Sequence, residues 1–300
     1  PGPLIPDGLD ATLVLARHGE SEYIVQGRFQ GQAETPLSPT GLDQAARLGD
    51  RLARPHDPPP LPVPSGGTRE LVHSALIRTR QTAEAVLRAA PVAVPLRPDA
   101  GFLEIAQGDW EGLHRDEIVT RFGDVLSAWR RTPVDAWAPG GEALPDVQAR
   151  VRDGLGRVLG RLAEGGLPGT LDRDQVAGYG SSAAAAHPWS IVVGHDGVFK
   201  VTLLTLFDLP LERFWMWTMD LCAITVVDIR GGRPVLRAHN LTGHLASRPD
   251  DRSTAAADDA ERVAAAGNSD DGDASASAAE GPTGGGDAGS TECQRDEARP

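Results

Sequence analysis

The sequence predicts an α/β fold: a three-layer sandwich with a mostly parallel central sheet and helices on both faces. Two observations carry that prediction. Short β-branched and aliphatic runs alternate with longer segments of helical period, the order that builds parallel sheets from strand–helix–strand units. The runs are also almost continuously apolar instead of alternating, as strands covered on both sides are.

In chain order, the first strand is "TLVLA" (12–16), which runs into Arg17 and His18. "TPLSPTG" (35–41) opens a helix, with Ser38 as its N-cap and Pro39 at the first helical position, where a missing N–H does no harm. Leu42, Ala45, Ala46, Gly49 and Leu52 are expected on the buried face of that helix. "RELVHS" (69–74) is the second strand, followed by a helix that groups Arg78, Thr82, Ala83, Val86 and Ala90 on one side. "VAVPL" (92–96) reads as the third strand. Leu144, Val147, Val151, Leu155, Val158 and Leu162 form one apolar stripe of helical period. "SIVVGH" (190–195) and "CAITVVDI" (222–229) complete the strands. Between them, "RPHDPPPLPVPSGG" (54–67) is too rich in proline for a helix or a central strand. The Gly-, Ala- and Ser-rich stretch at about 164–189 reads as a surface insertion.

Residues 1–245 are read as one domain and 246–300 as an acidic disordered tail. The tail has no aromatic residue and one large aliphatic one, Val263. Its 13 Asp and Glu against 5 Arg carry −8 of the chain's net −13, leaving −5 for residues 1–245. Such a composition cannot offset the entropy of ordering, so the tail is expected to stay solvated. A mildly acidic body without a basic run argues against nucleic acid as a partner. No apolar run reaches the ~18–20 residues that cross a bilayer, and no basic-then-apolar stretch opens the sequence, so no membrane partner is expected. Cys222 and Cys293 make neither a disulfide framework nor a metal cluster, and a reducing cytoplasm fits them best. "LERFWMWTMDL" (211–221) would serve a core as well as an interface, so oligomeric state stays open.

In open α/β sheets ligands bind beyond the carboxyl ends of the strands. Three strand ends here carry suitable groups: Arg17 and His18 at the first, Arg78 beyond the second, His195 at the fourth. Brought together, two arginines, two histidines and helix N-termini supply what a phosphate dianion needs: forked donors, positive charge and free backbone N–H groups. Two histidines and a carboxylate can also hold zinc. Neither histidine, however, has a second one at His-x-His or His-x-x-x-His spacing, and the arginines would repel a cation. No metal and no cofactor are expected.

These motifs carry a family resemblance. "RHGES" (17–21) followed by "GRFQGQAETPLSPTG" (27–41), then "HSALIRTRQTAE" (73–84), "FLEIAQGDWEG" (102–112), "PGGE" (139–142) and "VVGHDGVFK" (192–200), resemble in order and spacing the blocks of the histidine phosphatase superfamily, the phosphoglycerate mutase-like proteins. The resemblance spans residues 11–245 and implies their fold. It further implies that His18 is a nucleophile that becomes phosphorylated and that Arg17 and Arg78 hold the phosphoryl oxygens. His195 would be the second pocket histidine, and Glu104 the acid that protonates the leaving oxygen. Arg28 and Gln30 are candidate substrate contacts, with an ordinary exposed loop as the alternative. Trp110 is expected to pack rather than to stack on substrate.

The implied activity is metal-independent hydrolysis of a small-molecule phosphomonoester. A phosphoglycerate mutase and a catalytically silent phospho-ligand binder are the alternatives. The compact segment after Glu104 speaks against the mutase, and the complete set of five residues against the silent binder. Three positions depart from the family pattern, the mildest being Tyr23, where a Trp is frequent. Ile24 stands where an Asn is frequent and cannot donate to a phosphate. Asp196 follows His195 where a small residue is usual, and is expected to cap a helix beginning at Val198.

Overall fold

The computed structural model describes residues 2–165 and 187–246. Their elements in order are β1 (Ala11–Arg17), α1 (Glu22–Val25), α2 (Pro39–Ala53), β2 (Leu71–His73), α3 (Ile77–Ala89), β3 (Leu96–Pro98), α4 (Arg115–Arg131), α5 (Leu144–Gly165), β4 (Trp189–Gly194), α6 (Asp196–Leu206), β5 (Ile224–Arg230) and β6 (Arg233–Leu241). The strands form one sheet in the order β3-β2-β4-β1-β5-β6. The first four are mutually parallel; β5 pairs antiparallel with β1, and β6 antiparallel with β5.

Alternation along the buried strands explains the three layers. Leu13, Leu15, Val192 and Val227 pack with Val147, Val151 and Leu155 of α5 and Val198 and Val201 of α6. Val14, Ala16, Ile191 and Val193 pack on the other face with Leu48 and Leu52 of α2 and Ala83 and Val86 of α3. Every residue of the α5 stripe from Leu144 to Leu162 is buried, as its period predicts. The proline-rich connector forms no helix or strand.

Ser38 caps α2 as expected: its hydroxyl accepts from the Gly41 N–H at 3.0 Å and donates to Glu20 Oε1 at 2.7 Å. Ser38→Ala will therefore lower stability by about 1 kcal/mol, read from urea denaturation; an unchanged midpoint would show that the cap contributes nothing.

Four readings need correction. The buried face of α2 is Gly41, Ala45, Leu48, Gly49 and Leu52, whereas Leu42 is 47% exposed and Ala46 is exposed too. The face is set by close backbone approach: a Cβ on Gly41 would lie 1.9 Å from the Glu20 carbonyl, and one on Gly49 2.8 Å from that of Ala85. Ala90 lies just past α3, ahead of Pro91, which disfavours helical backbone in the residue before it. Of "VAVPL" only Leu96 enters a strand, the half-exposed edge strand β3, because Pro95 brings no N–H to a ladder. β6 and α4 were not anticipated. β6 is an outer strand without an apolar run, marked only by Gly231-Gly232, whose φ of 55° and 78° suit a two-residue hairpin turn. α4 is interrupted at Phe122 (φ −136°), which breaks its period. The expected acidic tail beyond Ala246, and residues 166–186 of the expected insertion, lie outside the described residues; Glu164 and Gly165 end α5, and Trp189 begins β4.

Candidate active site

β2, β4 and β1 are neighbours, so their carboxyl ends open at one place. The main chain knits them there: Arg17 pairs with Gly194, the His18 N–H donates to the Gly194 carbonyl at 3.0 Å, and the Ser74 N–H donates to that of Val193 at 3.0 Å. His18 and His195 consequently meet edge to face, with ring centroids 5.0 Å apart and both side chains buried.

Hydrogen bonds settle the His18 tautomer. His18 Nδ1 lies 2.6 Å from the Gly19 carbonyl, which can only accept, so Nδ1 carries the proton and the lone pair of the neutral ring sits on Nε2. His195 Nε2 lies 2.9 Å from Ser74 Oγ, while its buried Nδ1 has no partner among the described residues. Arg78, fully buried at the start of α3, donates to the Gly31 carbonyl at 2.7 Å and to that of Ala33 at 2.9 Å. Arg17 donates to the Met219 carbonyl. The Nε groups of both arginines are buried without a partner among the described residues. Leaving such a group unpaired costs ~1–3 kcal/mol, more when it is charged, so the two arginine Nε groups beside the histidine pair are donors suited to an acceptor.

The electrostatics run the same way. Burial first, then Arg78 and Arg17, hold the His18 pKa well below the usual value. His195 is held low by burial, Arg78, His18, Arg17 and Arg150. Both rings are thus neutral at physiological pH. Arg78 falls to about 10, lowered by burial and supported against it by Glu104, Glu34 and Glu111.

Glu104 follows the 3-10 turn Ala100–Phe102. Its carboxylate accepts from the N–H groups of Ile105 and Val198 at 2.9 Å and of Gly197 at 3.1 Å. Glu104 therefore seals the first turn of α6, and those two N–H groups are not free for an anion. This corrects the expectation for Asp196. α6 begins at Asp196, two residues early, which places that side chain inside the first turn instead of at the cap. Its carboxylate binds Lys200 Nζ, one turn on, at 2.7 Å, and Lys200 lies over the rings of Trp215 (5.2 Å) and Phe214 (5.5 Å).

Not every candidate is drawn to the histidines by its bonds. Arg28 donates to the Gly112 carbonyl and to Gln26 Oε1 at 3.2 Å, and Gln30 Oε1 accepts from Ser21 at 2.6 Å and Thr35 at 2.9 Å. Ile24 is half-buried on the short α1. Trp110 packs with Ile118, Leu126 and Ala138, as expected. Residue types alone missed Ser74, on His195, and Thr82, which accepts from the Gly19 N–H at 3.2 Å. Both lie inside the "HSALIRTRQTAE" block, which was the available signal. Among the described residues no three His, Cys, Asp or Glu side chains converge as a metal site, and no helix is long and apolar enough to cross a membrane.

Comparison with known proteins identifies the family. The family description "Histidine phosphatase superfamily (branch 1)" matches residues 13–167 and 173–242. Phosphoserine phosphatase 1 of Hydrogenobacter thermophilus is 28% identical over 236 residues, covering 78% of this chain and 93% of that protein. A 2,3-bisphosphoglycerate-dependent phosphoglycerate mutase of Azorhizobium caulinodans is 31% identical over 202 residues, 66% of this chain and 89% of that one. The solved structure of Bacillus stearothermophilus YhfR superposes with a TM-score of 0.63 at 25% identity, covering 79% of this chain and all of that one. Motif order, strand-end geometry and relatives thus converge, and the chain belongs to branch 1 of the histidine phosphatase superfamily.

Proposed function

We propose that the protein hydrolyses a small phosphomonoester in two steps through a phosphohistidine at His18. The observation that supports this best is the pair of buried neutral histidines beside two arginines whose Nε groups lack partners. In the first step the Nε2 lone pair of His18 forms a P–N bond while the P–O ester bond breaks. The leaving oxygen takes a proton from the Glu104 carboxylic acid and departs as an alcohol. In the second step water attacks phosphorus and gives its proton to the Glu104 carboxylate. The P–N electron pair returns to Nε2, and phosphate is released. Arg17, Arg78 and His195 hold the phosphoryl oxygens throughout, which is where phosphoryl transfer gains most, from positioning and charge. Splitting the reaction replaces one difficult displacement by two easier ones.

A mutase differs only in passing the phosphoryl group to a second substrate hydroxyl instead of water. The similarity to a mutase keeps that reading in the test, while the short segment between Glu104 and α4 supports the hydrolase. The experiment is phosphate release from a panel of sugar phosphates, phosphoamino acids and phosphoglycerates in EDTA, with the labelled enzyme quenched during turnover. Phosphate release with acid-labile, alkali-stable label on the protein is expected. Interconversion of phosphoglycerates without net release would establish the mutase instead, and an acid-stable label would exclude phosphohistidine.

A further inference from the structure

The "PGGE" segment and the helix behind it have no role in the reaction as described, yet they hold the main chain around Glu104. Residues 103–107 have no regular secondary structure of their own. Arg150, on α5, supplies the missing partners. Its Nη1 donates to the carbonyls of Gly101 at 3.1 Å and Leu103 at 2.7 Å, and its Nη2 to that of Glu104 at 3.0 Å. The guanidinium also forks onto Glu142, with Nε to Oε1 and Nη2 to Oε2 both at 2.8 Å. Glu142 Oε2 in turn accepts from the Ala106 N–H at 2.9 Å and from Gln32 Nε2 at 3.2 Å. Gln32 Nε2 gives a second bond, 3.0 Å, to the Glu104 carbonyl. The Glu142 N–H closes the ring on the Ala106 carbonyl at 3.0 Å.

Peptide groups on both sides of Glu104 are therefore tied to one half-buried guanidinium–carboxylate pair, with side chains 20% and 25% exposed. The far end of the side chain is tied to α6, directly after His195. With both ends fixed, the carboxyl group has little freedom to drift from the histidine pair. A planar fork suits this task, because only arginine serves three carbonyls and a carboxylate from one rigid plane.

We infer that Arg150, with Glu142 and Gln32, is a positioning group that holds Glu104 where it protonates the leaving oxygen. The inference rests on the acid role given to Glu104 above. A purely structural brace would slow every substrate alike, whereas one acting through the acid matters only when the leaving group needs a proton. Alkyl phosphates need it. p-Nitrophenyl phosphate, whose phenolate leaves as a stable anion, does not.

The test compares kcat/KM for an alkyl phosphate and for p-nitrophenyl phosphate in Glu104→Gln, Arg150→Met and Gln32→Met, the last being a milder change on a loop. General acid catalysis is worth ~10²–10⁴-fold, so Glu104→Gln is expected to lose about that much on the alkyl ester only. Arg150→Met is expected to lose roughly 10- to 100-fold on the alkyl ester and less than about threefold on the aryl ester, with Gln32→Met showing the same bias more weakly. Equal losses on both esters, or none, in Arg150→Met beside a biased Glu104→Gln would overturn the positioning role and leave the mechanism standing. An unbiased Glu104→Gln would remove the acid role and this inference with it. If Arg150→Met does not fold, the bias or its absence in Gln32→Met decides.

Discussion

His18→Ala is expected to abolish turnover, with kcat falling on the order of 10⁵-fold or more, because the proposed mechanism gives the attacking atom to His18 alone. The ring nitrogen is fixed for its task by two independent features: Nδ1 is committed to the Gly19 carbonyl, and burial between two arginines keeps the ring neutral. Substrate should still bind, because Arg17, Arg78 and His195 remain, so KM or a product-inhibition constant should change far less than kcat. The check is phosphate release under single-turnover conditions from protein whose circular dichroism and melting temperature match wild type. Retained activity would sink the assignment of the nucleophile.

Arg78→Met should produce the second largest effect, a loss of about 10²–10³-fold in kcat/KM together with a displaced acid limb of the pH–rate profile. Direction follows from charge. In the proposed mechanism His18 attacks only as the neutral base, and after burial the Arg78 guanidinium is the next of the causes that lower its pKa. Without that cation the His18 pKa rises, so the neutral fraction falls at any given acidic pH and activity disappears at a higher pH than in wild type. Burial, the largest cause, remains, and the limb should stay below that of an exposed histidine. Arg78→Lys separates the two contributions. It keeps the charge, and with it most of the acid limb, but it loses the fork that grips the Gly31 and Ala33 carbonyls, and with it the rate. An acid limb that does not move in Arg78→Met would refute the electrostatic coupling.

The parts of the fold legible in the sequence are those whose burial is complete. β1, β4 and the α5 stripe announce themselves because every position must be apolar or small. β6 and α4 are half-exposed, and tertiary contacts choose their conformation, so residue type says little. The histidines and arginines of the site were legible because strand ends in such sheets meet. The bracing of Glu104 was not, since Arg150 works on carbonyl oxygens, which every residue possesses and no residue type distinguishes. Asp196 was misread for a related reason: the best cap for α6 came from a distant carboxylate, leaving Asp196 to its neighbour one turn away.

That neighbour has a practical consequence. Lys200 is the only lysine in the chain, and the fold leaves it 7% exposed, bonded to Asp196 and covered by two aromatic rings. The protein therefore offers amine-directed reagents essentially no side chain to attack. Dyes, cross-linkers and resins that couple through lysine will find almost nothing to hold, and lysine-specific proteases have one peptide bond to cut, inside a buried helix. Attachment chemistry for this molecule is better run through its many carboxylates or through a cysteine.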